Sequence, residues 1–138
     1  MTRSEDGTRF AIDAVTALRL VRDEPGIGAR RLLVGPSALR RDAMALLYRE
    51  VREGVLDERT ARETLEGIAT LKIRLLGDRV SRATAWKLAE QLEWSDPRPA
   101  EYLAVATLQA DVLVAGDELL AAAADGIVPL ATYEQLVR

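Results

Sequence analysis

The chain has 138 residues, the length of one ordinary domain. It is 49% hydrophobic and 30% charged, which suits a packed core and excludes a wholly disordered chain. With no cysteine and no histidine, zinc fingers, iron–sulfur clusters, thiol nucleophiles and histidine general bases are excluded, and a net charge of −3 gives no reason to expect a nucleic-acid coat.

Any chemistry must therefore run on carboxylates, hydroxyls, arginines, the lysines Lys72 and Lys87, and backbone groups. The start of the chain, Met1-Thr2-Arg3-Ser4-Glu5-Asp6-Gly7, is charged and lacks the apolar core of a signal peptide. No apolar run reaches the length of a membrane span. Together with the lack of cysteine, this leads us to expect a cytoplasmic protein without a membrane partner.

Phe10-Ala11-Ile12 is a short apolar run ending at Asp13 and predicts a first strand. Residues 15–21 suit a short helix. Leu32-Leu33-Val34 predicts a second buried strand, stopped by Gly35-Pro36. Ser37 is a suitable N-cap for a helix carrying Leu39, Ala43, Leu46, Leu47 and Val51, closed by Gly54. Asp57 is expected to cap the next helix, with Thr60, Ala61, Thr64, Leu65, Ile68 and Leu71 on one side. Ile73 to Gly77 reads as a third strand. Asp78 opens a helix whose Val80, Thr84, Leu88 and Leu92 lie four apart. After the proline-dense Asp96-Pro97-Arg98-Pro99 comes a helix around Tyr102, Leu103, Ala106 and Ala110. Asp111 to Val114 predicts a fourth strand, Asp117 opens another helix, and Ile127-Val128-Pro129-Leu130 predicts a last edge strand.

Short, continuously apolar strands alternating with helices predict a three-layer α/β/α fold with a central, mostly parallel sheet, as a single domain over 1–138. In such folds ligands lie beyond the carboxyl ends of the strands, where the strand order reverses. Asp13 follows strand one directly, Asp117 follows strand four after Ala115-Gly116, and each has two readings: helix cap or site residue. Asp42 lies inside a helix, beside Leu39 and Leu46. It needs a partner, a metal or solvent there, and pairing with Arg41 or Arg49 is the plain alternative. Carboxylates without histidine or thiolate form an all-oxygen site, which selects Mg²⁺ or Mn²⁺ and suits phosphodiester hydrolysis. Arg19, Arg22, Arg40 and Arg41 are candidates to hold an RNA backbone, or equally a solvated surface. Trp86 and Trp94 read as core or interface packing residues rather than base-stacking platforms.

Four stretches carry a family likeness: Phe10-Ala11-Ile12-Asp13-Ala14, the helix over 37–52 with its internal acid, Ala100-Glu101-Tyr102-Leu103-Ala104-Val105-Ala106, and Val112-Leu113-Val114-Ala115-Gly116-Asp117-Glu118-Leu119-Leu120. Together they resemble a PIN domain, most of all the small toxin ribonucleases of VapBC-type toxin–antitoxin pairs. The resemblance implies an α/β/α fold, a homodimer, and Mg²⁺- or Mn²⁺-dependent cleavage of RNA held off by an antitoxin protein. It makes Asp13, Asp42 and Asp117 the catalytic, metal-binding acids. The sequence departs from the family pattern at Pro99, where an acid is expected, and at Ala115 and Val15, where small hydroxyl residues are usual. Asp96, three residues upstream, and Glu101, close by in sequence, are candidate substitutes for the missing acid; Glu101 is expected to point away on its helix, which favours Asp96. The same departures leave a second expectation open: a catalytically degenerate PIN-like module that binds or regulates without cleaving.

Overall fold

The computed structural model describes residues 7–138. The signal-peptide expectation rests on Met1 to Asp6 and so lies outside the described residues. Four strands form one sheet: β1 (Arg9–Ile12), β2 (Leu32–Pro36), β3 (Arg74–Leu76) and β4 (Val112–Val114). All pairs are parallel, in the order β3-β2-β1-β4. Around the sheet lie α1 (Ala14–Asp23), α2 (Leu39–Arg52), α3 (Glu58–Thr70), α4 (Arg79–Gln91), α5 (Ala100–Gln109), α6 (Glu118–Ala123) and α7 (Tyr133–Val137). The fold is mixed α/β with a covered, all-parallel sheet, as the alternation of elements predicts.

The chain steps from β1 to β2 to β3 in one direction, then returns to place β4 on the other side of β1. Right-handed crossovers therefore put α1, α2 and α3 on one face and α4 and α5 on the other. The contacts agree: α1, α2 and α3 pack on one another, while α5 lies against β1, β2 and β4 and carries α4 on its back. Being buried from both sides, the strands are apolar without alternation, and Phe10, Ala11, Ile12, Leu33, Val34, Leu113 and Val114 all belong to the core. The order reverses between β1 and β4, and a crevice opens beyond their carboxyl ends.

Three expectations need correction. Ser37 does not cap α2. Strand β2 runs on through Pro36, and the Ser37 N–H donates to the Leu76 carbonyl at 2.8 Å, so the sheet ladder claims it. The helix starts later, from Ala38, without a side-chain cap. The buried stripe of α4 is Ser81, Ala85 and Ala89, one residue on from the predicted one, and Val80 is exposed. The box formed by Asp78 and Ser81 turns Ser81 inward, and the small stripe lets α4 approach Ala100 and Ala104 of α5. Residues 127–130 form no strand; Leu130 makes a single parallel bridge to Leu113. Pro129 offers no N–H, and the box of Thr132 with Gln135 starts α7, an unexpected helix, at once. Trp94 packs against the core but Trp86 is exposed.

The caps expected at Asp57 and Asp78 are present, accepting from the Thr60 and Ser81 amides. These hydrogen bonds, from Thr60 to Asp57 and from Ser81 to Asp78, hold both carboxyls below their ordinary range. The charged forms thus favour the folded state, and their contribution is complete above the unfolded value near 4. It is lost as pH falls through the lower folded values. Urea midpoints measured from pH 6 downward will fall below about pH 4, and the fall will be shallower in an Asp57→Asn, Asp78→Asn double variant.

Candidate functional site

Asp13 leaves β1 at its carboxyl end and caps α1, because its side chain reaches forward to the Thr16 amide at 2.9 Å. It is only 3% exposed. A buried carboxylate must be supplied with donors. Here Oδ1 accepts from the Thr16 and Gly116 amides at 2.9 and 3.0 Å, and Oδ2 accepts from the Gly116 and Asp117 amides, both at 2.9 Å. Thr16 returns the tie, its hydroxyl donating to the Val114 carbonyl at 3.0 Å. One acid thereby joins the first turn of α1 to the loop after β4. The loop approaches so closely that a Cβ on Gly116 would lie 2.6 Å from a Val15 methyl. Of the two readings of Asp13, the cap is thus a fact of the structure.

Asp117 is presented by that loop and caps α6, its Oδ2 accepting from the Leu120 amide at 2.9 Å. Asp42 comes from the first turn of α2. Its Oδ2 accepts from the Tyr102 hydroxyl of α5 at 2.7 Å, and Arg41 lies 3.8 Å from its Oδ1. No ion pair joins it to Arg49. Burial, and then the bond to Asp42, raise the Tyr102 hydroxyl well above the ordinary phenol value, so it stays a donor.

Asp13, Asp42, Asp96 and Asp117 all line one open cavity of about 400 Å³ at the crevice beside β1 and β4. Val15, Leu46, Pro99 and Tyr102 complete much of its wall. Two arginines outside the predicted RNA-binding set also line it: Arg49, expected only as a pairing partner for Asp42, and Arg98. Arg49 could have been found by helical spacing, since it stands seven residues after Asp42 on the same face of α2. Asp96 is already paired. Its carboxylate accepts a fork from the Arg98 guanidinium at 2.8–3.1 Å, which holds its pKa below the ordinary range.

The four predicted RNA-binding arginines lie outside this cavity. Arg19 stacks over the Tyr133 ring at 3.6 Å and pairs with Asp23. Arg22 pairs with Glu50 at 3.8 Å. Arg40 donates to the Ile68 and Leu71 carbonyls at the end of α3, at 3.1 and 3.3 Å. Only Arg41 approaches an acid of the site, and it lines a neighbouring cavity of about 220 Å³ with Ser37, Arg82 and Glu101.

The donors fit a hard, hydrated cation rather than a closed cage. Among the described residues no three acidic side chains are grouped closely enough to hold a metal ion. Asp13 spends both oxygens on amides, and Pro99 contributes no donor. Mg²⁺ commonly keeps several waters and uses one or two carboxylates, and Asp42 and Asp117 can supply those.

No family model matches the chain, and no curated protein matches it. Among solved structures, the crystal structure of PAE2754 from Pyrobaculum aerophilum is similar, with a TM-score of 0.70 at 22% identity, over 96% of this chain and 89% of that one. Identity that low establishes the shared fold alone. Among the described residues no helix is long and apolar enough to cross a membrane.

Replacing Asp13 by Asn removes charge from a buried acceptor of three amides and turns an NH₂ group toward them. We expect a loss of about 2–4 kcal/mol in unfolding free energy. Gly116→Ala should cost about 1–3 kcal/mol through overpacking against Val15. Chemical denaturation of each variant checks both values.

Proposed function

We propose that the chain is a PIN-type ribonuclease that hydrolyses RNA phosphodiesters with Mg²⁺ or Mn²⁺, the toxin-like component of a toxin–antitoxin pair. The observation that carries this reading is that Asp13, Asp42 and Asp117, far apart in sequence, line one cavity at the switch point of a parallel sheet. The family likeness of the surrounding segments and the all-oxygen donor set support it.

In this reading Asp42 and Asp117 hold the cation, and Asp13 fixes the loop that presents Asp117. A divalent cation bound there supplies activated water and neutralises charge on the phosphate. Tyr102 orients Asp42 by donating to one of its oxygens. Arg49 and Arg98 offer guanidiniums for phosphate oxygens. Partners under this proposal are RNA, a second copy of the chain, and an antitoxin, in the cytoplasm. Pro99, which brings no carboxylate to the cavity wall, favours a second reading: a catalytically degenerate module that binds or regulates.

Incubation of purified protein with a single-stranded RNA and Mn²⁺ decides between them. The nuclease reading expects cleavage, abolished by chelation and reduced about 100-fold or more in Asp42→Asn and Asp117→Asn. Thermal melts must show both variants folded. Cleavage unchanged in both variants, or absent in the native protein, contradicts it.

A further inference from the structure

The carboxylate cavity contains its own cation in an unusually fixed position. Arg98 stands between Pro97 and Pro99, and each proline restricts itself and the residue before it. The Arg98 backbone amide donates to Asp96 Oδ1 at 3.0 Å, closing a tight turn. The Arg98 guanidinium then folds back on the same carboxylate, with Nε 3.0 and 3.1 Å from its two oxygens and Nη2 at 2.8 Å. Asp96, Arg98 and Pro99 all line the cavity, with Asp13, Asp42 and Asp117. Asp96, and to a smaller degree Asp42, raise the Arg98 guanidinium above its ordinary range.

Most surface arginines lose side-chain freedom when they pair, and the pair is worth little for that reason. Two prolines and a turn have already removed the backbone part of that cost here. The guanidinium is nevertheless 75% exposed, so it can leave by rotating its side chain alone. A positive charge at this point lowers the repulsion among carboxylates that face one cavity. It also opposes any other cation that approaches them.

We infer that Arg98, anchored by Asp96, is a built-in counter-ion of the carboxylate cavity, and that a divalent cation binds there only in competition with it. This rests on the metal-dependent reading proposed above and adds to it a determinant of metal affinity. A group that draws Arg98 away from the acids, such as a substrate phosphate, would favour the cation by the same coupling that the cation exerts on Arg98.

The test is calorimetric titration of the full chain with Mn²⁺, without RNA. Arg98→Gln should bind Mn²⁺ about fivefold more tightly or better. Arg98→Lys keeps the charge but loses the fork, and should stay near the native value. Arg59→Gln, an equal charge change on α3 outside the cavity, should also leave the affinity unchanged. The same Mn²⁺ affinity in Arg98→Gln and the native protein overturns the inference, as does equal tightening in Arg59→Gln. If Arg98→Gln is unchanged while the native protein cleaves RNA with Mn²⁺, the counter-ion role alone falls. Failure of every variant to bind millimolar Mn²⁺ removes both this role and the metal-dependent reading.

Discussion

The Asp13 carboxylate, almost wholly buried and surrounded by three backbone amides, is the interaction on which the site depends. It joins two segments about a hundred residues apart, the entry to α1 and the loop after β4. A neutral side chain could cap α1, but only an ionised acid satisfies amides from both directions with both oxygens. The consequence is positional. Asp117 must stand beside Asp13 because its own amide is one of the three donors. The parallel sheet does the rest by delivering both segments to the same edge, at the one place where the strand order reverses.

The electrostatics around this clasp follow from scarcity of cations. Four aspartates face one cavity, and two guanidiniums, from Arg49 and Arg98, face it with them. Asp42 is steadied by Tyr102 from the opposite layer, so α5, which covers one face of the sheet, also governs the acid on the α2 side. Each acid is committed in part to structure: Asp13 to amides, Asp42 to a phenol, Asp96 to Arg98, Asp117 to the start of α6. What remains for a ligand is a set of single oxygens at the cavity wall, which suits a hydrated ion or a phosphate-bound one better than a dehydrated cage.

Much of this was legible in the sequence because parallel strands announce themselves. Phe10-Ala11-Ile12 and Leu113-Val114 are apolar without alternation, and Asp13, Asp57, Asp78 and Asp117 stand where helices need caps. Tertiary demands set the limits. Ser37 has the right chemistry for a cap, but the sheet ladder takes its amide first. Val80 and Thr84 match helical spacing as well as Ser81 and Ala85 do; only the small residues facing them on α5 decide the phase. Within the site, the acids were found by their places after strands and in a helix. Arg98 escaped notice because its position is made by two prolines and a turn, which carry no periodic signal. Arg40 stood out in sequence as a candidate for RNA, yet it serves the carbonyls that end α3.

The central claim is that these acids form one cation-binding cavity at the β1/β4 crevice. Titrating isotope-labelled protein with Mn²⁺ tests it most directly, because the paramagnetic ion broadens the amide resonances nearest to it. The account predicts that the first amides lost are those around the crevice, at Ala14, Gly116, Asp117 and Asp42, while those of β3 and α7 persist. Broadening spread evenly over surface carboxylates, or centred on the exposed acids of α3, would contradict it.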